Sequence, residues 1–341
     1  MDSSSIAAAP DYGRLYDMIT APIRARLVLT GLELGVFDHL ETERTADEMA
    51  GLTNAHPGNM AAFLDALTCI GLLRKRAGRY CNAEEASVYL RADGPTPMGN
   101  LLRMITSMCV APLDDLSTLV RQGPRPNEAD THFAAETLWA ESCRTSAAWV
   151  TGGVGALMIR YVAALPEFPA FRTMLDLGGG HGMFAQAFVA AHPELTAVIF
   201  DQPAVVAVAE EFIGASGLKQ RIATRGGDYL RDDLGGGYDF IWACATLNFA
   251  RHDLDPLIAK IHAALKPGGV FMAFQDGLTH ERTQPDMFLG HLGTALSSGQ
   301  AFYFDQGEIA ASMLRTGFRS VHSRTVTTPM GDMDLDIART A

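Results

Sequence analysis

The chain changes its hydrophobic period part-way along. Up to residue 165 apolar side chains recur at helical spacing; beyond 171 they gather in short unbroken runs separated by helical stretches. In the first region DYGRLYDMITAPIRARLVLTGLELGVFDHLE (11–41) predicts helix, with Ile23, Leu27, Gly31, Leu34 and Phe37 on one face. Residues 45–90 predict a helix opened by a capping box, Thr45 with Glu48 three residues on, then a turn at His56-Pro57-Gly58 and a second helix, NMAAFLDALTCIGLL. LLRKRAGRYCN follows as a hairpin with Ala77-Gly78 at its tip. Helix, turn, helix and hairpin make a winged-helix arrangement. RADGPTP (91–97) reads as a linker, and 98–165 as mostly helical with a break at RQGPRPNEAD. Met98, Met104, Met108, Trp139, Trp149 and Met158 lie at core-like spacing there, and Met104, Met108, Trp139 and Trp149 are also candidate pocket walls.

After 171, TMLDLGG, AVIFD, IATRGGD, YDFIWA and GVFMAFQD alternate with helical stretches. That alternation predicts an α/β fold with a mostly parallel sheet covered on both faces. SVHSRTVTTPMGDMDLDIART predicts a closing pair of strands. The expected division is therefore 1–97, 98–170 and 171–341.

Composition narrows the function classes. The net charge of −12 opposes nucleic-acid binding, because phosphates need a basic face. The second helix of the winged-helix unit carries Asn59, Met60, Phe63, Asp65 and Thr68 but no Lys or Arg, while Arg74, Lys75, Arg76 and Arg79 are confined to the wing. A packing or dimerisation module is favoured over a DNA reader. The five cysteines (Cys69, Cys81, Cys109, Cys143, Cys244) show no CxxC and no zinc spacing, which points to free thiols in a reducing cytoplasm and to no metal. MDSSSIAAAPDYGR has no signal-peptide pattern, and no apolar run is long enough to span a bilayer.

The strongest chemical signal is LDLGGGHG (175–182), which follows an apolar run and precedes the helical MFAQAFVAAH. Gly178, Gly180 and Gly182 permit a tight turn and close approach of a ligand to the backbone, and GHGMFA also fits a variant of the dinucleotide fingerprint. Asp176 lies inside the motif, Asp201 ends the next strand (VIFDQP), and Asp228 with Tyr229 ends the one after (GGDYL). An acid at Asp201 can accept both hydroxyls of a ribose. Asp228 can accept from an exocyclic amine, and Tyr229 can cover a purine face. Asp201 and Asp228 could each instead cap a helix. A dinucleotide needs its pyrophosphate at the helix N-terminus, whereas a cationic sulfonium nucleoside suits an acidic loop. The acid in the motif favours S-adenosyl-L-methionine.

On these residues the chain resembles the class I S-adenosylmethionine-dependent methyltransferases, and more narrowly the plant and bacterial small-molecule O-methyltransferases with an N-terminal winged-helix dimerisation domain. RARLVLTGLELGVFDHL, TADEMAG, LDALTCIGLLRKRAGRYCNAEEASVYL, LDDLSTLVRQGPRP, LDLGGGHG, FDQP, GGDYL, LKPGG and LRTGF carry the resemblance over nearly the whole chain. It implies a Rossmann-like methyltransferase sheet. It also implies that Asp176, Gly178, Gly180 and Gly182 form the cofactor loop, that Asp201 binds the ribose, and that Asp228 and Tyr229 hold the adenine. A homodimer with intertwined N-terminal helices is implied as well.

One departure bears on the reaction. Many members carry a catalytic histidine a fixed distance before LKPGG, and the aligned residue here is Leu247, in Leu247-Asn248-Phe249. His252 lies five residues later, where a helix is expected to begin with Pro256 near its first position and Asp253 or Asp255 as cap; it reads as an exposed helix-start residue. Methyl transfer from a sulfonium is in-line, so the protein's main task is orientation, and a base is needed only where the acceptor must lose a proton. Asn248 can orient the acceptor through its amide, and His291, in DMFLGHLGTA, is a candidate wall residue or base. O-methylation of a metabolite hydroxyl is the family default. S-methylation of a thiol or a thioether, such as 4-methylthio-2-hydroxybutyrate toward dimethylsulfoniopropionate, fits the missing histidine; a cofactor-sensing DNA-binding regulator is opposed by the charge.

Overall fold

The computed structural model describes residues 12–124, 136–299 and 303–341. The chain divides after Arg103 into two compact units.

In the first unit, α1 (Gly13–Glu33) and α2 (Val36–His39) are separated by Gly35, whose φ of 64° breaks the single helix expected from the pattern. Gly31 is needed for packing: a Cβ there would lie 2.7 Å from the Phe37 ring. Only the last turns of α1 pack inward, through Leu27, Val28 and Leu32. Ile23, expected on the inward face, is 61% exposed, as are Tyr12, Leu15, Tyr16, Met18 and Ile19 to similar degrees.

A short strand β1 (Arg44–Thr45) leads into α3 (Ala46–Thr53), where the capping box forms: Glu48 N–H donates to Thr45 Oγ1 at 3.2 Å and Thr45 N–H to Glu48 Oε2 at 2.7 Å. α4 (Pro57–Cys69) starts two residues earlier than its apolar pattern, because His56 Nδ1 accepts from Asn59 N–H and Pro57 fits the first helical position. β2 (Leu73–Arg76) and β3 (Arg79–Asn82) form the wing, turned by Ala77 and Gly78, both at positive φ as a two-residue hairpin requires. α5 (Glu84–Tyr89) and α6 (Gly99–Ile105) flank the 91–97 connection.

The second unit begins with a π-helical turn (Thr106–Val110) and a 3-10 turn (Ala111–Asp115), followed by α7 (Leu116–Gln122). Most of the break RQGPRPNEAD lies outside the described residues. α8 (Glu136–Trp149) meets α9 (Gly155–Ala163) through a second π turn, kinked at Gly153 with φ 125°.

The sheet strands are β4 (Thr173–Leu177), β5 (Thr196–Asp201), β6 (Ile222–Gly226), β7 (Tyr238–Cys244) and β8 (Leu265–Gln275). α10 (Met183–Ala191), α11 (Pro203–Ser216) and α12 (Leu254–Ala264) connect them. A two-residue β9 (Gly277–Leu278) pairs with β10 (Phe304–Asp305), with a 3-10 helix (Asp286–His291) and α13 (Leu292–Ser298) in between. α14 (Glu308–Arg315) and the antiparallel pair β11 (Ser320–Thr328) and β12 (Gly331–Arg339) finish the chain, as the closing strands of the pattern predict.

The seven-stranded order is β11-β12-β8-β7-β4-β5-β6, parallel from β8 through β6, with β12 antiparallel to β8. Pleat alternation sends Met174, Phe240, Trp242, Met272 and Phe274 to one core, packed by Met158, Phe184 and Phe188. Leu175, Ile241, Ala243 and Phe271 go to the other, packed by Ile258, Ile261 and Met313. Both faces are covered, which is why the strands read as unbroken apolar runs. Strand order reverses between β4 and β7, and in such sheets ligands bind outside the carboxyl ends of the strands at that reversal.

Candidate functional site

The glycine loop lies at that reversal. β4 ends at Leu177, and the chain turns through Gly178 at φ 63° and Gly182 at φ 68° into α10. Space as well as φ demands glycine here. A Cβ at Gly178 would lie 2.0 Å from Thr246 Oγ1, and one at Gly182 would lie 2.4 Å from Ile199 Cδ1.

Asp176 is 2% exposed, and its Oδ2 accepts from Ala185 N–H at 3.3 Å, in the first turn of α10. Burial pushes its carboxyl up to about 7; the Ala185 bond pulls it down and the Asp201 charge pushes it further up. Asp201, at the end of β5, accepts from Gly180 N–H at 2.8 Å on one oxygen and from Gln202 N–H at 2.7 Å on the other. Burial raises its carboxyl, and those two N–H groups oppose the rise. A carboxylate has about four lone-pair sites, so Asp201 is fixed by two bonds and keeps acceptor capacity for a vicinal diol. His181, inside the loop, is buried, accepts from Met183 N–H at 3.1 Å, and is held down to about 4 by burial, so it is neutral.

The segment after β6 divides the pair expected there. Asp228 is exposed; it accepts from Leu230 N–H at 2.9 Å and lies 3.5 Å from Arg231. Tyr229 turns inward, 7% exposed, with its hydroxyl 2.7 Å from Thr246 Oγ1 and 3.1 Å from Thr246 O. The exposed apolar side chains Leu230 and Phe249 line, with His252, Asp253 and Pro256, a shallow cavity of about 310 Å³. Thr246 thus touches the glycine loop and the β6 loop at once. It carried no sequence signal, since nothing in its motif marks it.

α8 crosses this edge. Trp139 meets Phe249 edge-on at 5.4 Å, Cys143 Sγ comes within 3.2 Å of where a Gly180 Cβ would be, and Arg144 pairs with Glu211 of α11 at 2.6 Å. The Cys143 thiol is pushed up to about 12 by burial and by Asp201. No local sequence pattern connects residues 139–144 with residue 180.

Past β7, a 3-10 turn (Leu247–Ala250) buries Leu247 to 1% exposure. Asn248 is half-buried and its Oδ1 has no hydrogen-bond partner. His252 is exposed, just before α12, as expected. Asp253, one of the two residues expected there, is the N-cap, though its side chain makes no capping bond, and Pro256 is the third helical residue. Asp255 instead accepts from Ser312 Oγ and pairs with Arg315, which holds its carboxyl down to about 2. His291 ends the 3-10 helix, exposed, with its ring 5.3 Å from the Tyr303 ring. Asp276 follows β8 directly, so the rule that points to Asp201 at the end of β5 points to it as well. Among the described residues no cluster of His, Cys, Asp and Glu could hold a metal.

This geometry has known counterparts. Residues 147–289 match the family model of the O-methyltransferase domain, and 18–92 that of the O-methyltransferase dimerisation domain. The chain is 26% identical to a tetracenomycin polyketide synthesis 8-O-methyl transferase of Streptomyces glaucescens over 93% of this chain and 94% of that one. It is 25% identical to an N,N-dimethyltransferase of Streptomyces rimosus over 97% and 98%. The fold matches human N-acetylserotonin methyltransferase, solved in complex with S-adenosylmethionine, with a TM-score of 0.79, 22% identity and 100% coverage of both chains. It also matches an O-methyltransferase family protein from Burkholderia thailandensis with a TM-score of 0.79 and 21% identity, over 98% of this chain and 99% of that one. The chain belongs to the O-methyltransferase family with an N-terminal dimerisation domain, a family of class I enzymes whose methyl donor is S-adenosyl-L-methionine.

Proposed function

We propose that this protein methylates a hydroxyl of a small molecule, working as a homodimer. The observation that carries the donor side is Asp201: two backbone N–H groups fix its carboxylate beside the glycine loop while acceptor capacity is left for a ribose. When bound, S-adenosyl-L-methionine supplies an electrophilic methyl group. Gly178, Gly180 and Gly182 let the backbone approach the donor, and Asp176 braces the start of α10 behind them. Asp228 accepts from the adenine amine. Tyr229 serves that base by anchoring the loop on Thr246, and Leu230 and Phe249 provide apolar contact.

On the acceptor side Leu247 removes the family's usual base, so orientation, a term of roughly 7–11 kcal/mol in favourable cases, carries most of the rate. Asn248, with its free Oδ1, aligns the acceptor hydroxyl, and His291 stands at the far wall as orienting group and proton acceptor. Dimerisation is supported by the matched 18–92 segment and by the exposed apolar residues of α1. The five cysteines are free thiols, which fits a reducing cytoplasm.

Leu247 also favours a second reading, methylation of a thioether or thiol. Transfer of label from the methyl donor to a panel of phenols, thiols and thioethers decides between them. An O-methyl product whose formation rises with pH is expected. A pH-flat reaction giving only sulfonium or thioether products moves the assignment to sulfur.

A further inference from the structure

We propose, on the donor placement given above, that Lys260 of α12 is a positioning residue for the adenine end of the methyl donor. It holds the loop after β6 in the orientation that presents the Asp228 carboxylate to the exocyclic amine. It therefore sets how strongly the protein tells adenine from a purine that lacks that amine.

The loop after β6 is a small body of its own. It leaves the sheet at Gly227, whose N–H donates to Asp201 O at 2.9 Å, so its start is tied to the residue that ends β5. Beyond that point it closes on itself. Asp228 O accepts from Arg231 N–H at 2.9 Å and from Asp232 N–H at 2.7 Å, and Asp232 Oδ2 accepts from Asp228 N–H at 2.8 Å. Asp228 Oδ1 accepts from Leu230 N–H at 2.9 Å, while the residue stays exposed. A turn closed in this way keeps its shape but can still tilt as a unit about Gly226 and Gly227. An N–H···O bond spans only about 2.7–3.2 Å, so a tilt of about 1 Å at Asp228 loses the contact with the base.

Tyr229 and Lys260 resist that tilt from outside the turn. The Tyr229 hydroxyl rests on Thr246. Lys260, half-buried, donates from Nζ to Tyr229 O at 2.8 Å and to Asp232 O. One ammonium thus grips the turn near both ends, from a helix that Leu257, Ile258 and Ile261 fix in the core. These bonds carry a full charge, and such bonds are roughly twice as strong as neutral ones like that of Tyr229 with Thr246.

The neighbouring cations are placed for other work. Arg225 Nη2 donates to Asp233 O at 3.0 Å, and its guanidinium lies 4.1 Å from the centre of the Phe200 ring. Arg231 is exposed, with Nε 3.5 Å from Asp228 Oδ2. Neither reaches the two carbonyls that Lys260 holds. A lysine that only stabilised the fold would act on every ligand of the site alike. A lysine that aims Asp228 acts on the ligand that carries the amine.

Calorimetry with two ligands separates these roles: S-adenosylhomocysteine, and S-inosylhomocysteine, which has a carbonyl oxygen where adenine has its amine. The unaltered protein should bind the first about tenfold or more tighter, a difference of about 1.4 kcal/mol. Asp228→Ala should abolish that preference. Lys260→Met keeps an apolar stem. It should lower affinity for S-adenosylhomocysteine by about tenfold and leave S-inosylhomocysteine within about threefold, which brings the preference near unity. Lys260→Arg, whose fork can also reach two carbonyls, should keep most of the preference. In the Asp228→Ala background Lys260→Met should cost less than about threefold, because both residues act through the same carboxylate. Should the Met variant not fold, Lys260→Gln, uncharged and one atom shorter, takes its place with the same expectations. Equal weakening of both ligands, an unchanged preference, an Arg variant no better than Met, or the full cost in the Asp228→Ala background overturns the proposal. The donor reading fails in a different pattern. A preference that survives Asp228→Ala, or that the unaltered protein lacks, removes Asp228 from the adenine and the role of Lys260 with it.

Discussion

The two halves of the sheet edge are built by different means. The half proposed to hold the donor, from β4 to β6, is a backbone structure: positive-φ glycines, an aspartate clamped by two N–H groups, and a threonine fitted against a missing Cβ. The half proposed to hold the acceptor, past β7, would draw on side chains of distant segments: Asn248, His291 and Tyr303 each leave a different segment. A backbone site has little freedom to vary. A side-chain site can be rebuilt one residue at a time, which fits a family whose relatives here include both an 8-O-methyl and an N,N-dimethyl transferase.

This contrast can be broken by mutation. Gly178→Ala forces a Cβ to 2.0 Å from Thr246 Oγ1 at φ 63°, and its affinity for S-adenosylhomocysteine should fall by more than about a hundredfold, or roughly 2.7 kcal/mol; calorimetry showing native affinity would refute the backbone account. Asp201→Ala orphans the N–H groups of Gly180 and Gln202 and removes the ribose acceptor. At about 1.5–3 kcal/mol for a charged hydrogen bond, a loss of about thirtyfold is expected in the same titration, and unchanged affinity excludes the ribose role. Asn248→Ala belongs to the other half. It should cost about tenfold in kcat, the scale of a net hydrogen bond of about 1–1.5 kcal/mol, while S-adenosylhomocysteine binds as before; a parallel loss of affinity would merge the halves.

Asp176 gives a pH prediction. Its folded carboxyl sits near 7 against an ordinary value of 3.8, so between those values the folded state holds more protons than the unfolded one and stability falls as pH rises. Asp336, raised by burial to about 6, acts in the same sense, and His181, lowered to about 4, opposes it below its ordinary value of 6.5. The Tm of the ligand-free protein should decline between pH 6 and 7, and Asp176→Asn should flatten that decline; equal slopes in both proteins would contradict the assigned burial. The smallest effect is expected at His252, exposed on the rim of a shallow cavity. His252→Ala should stay within about threefold in turnover, and a loss of about a hundredfold, the scale of a general base, would make it the missing base.

How much was legible follows the same division. The sheet, the wing with its Ala77-Gly78 turn, the Thr45 capping box and the closing strands all come from local rules of period, cap and turn, and local rules are written in adjacent residues. The break at Gly35 and the start of α4 at Pro57 depend on single cap residues that the apolar period averages over. Tyr229 illustrates a different limit. Its position at the strand end was readable, but whether its ring faces a ligand or Thr246 depends on a residue 17 positions away. The same is true of Cys143 against Gly180, where tertiary packing alone makes the neighbours.

Thr246 has a practical meaning for redesign. Gly178, Tyr229 and Thr246 share one tightly filled point, so none of the three can be exchanged alone. A library aimed at new acceptors can randomise 247–248 and the turn at 286–291 and leave the residues proposed to hold the donor intact. The same library extended by one residue, to 246, would consist mostly of variants that no longer recognise their cosubstrate.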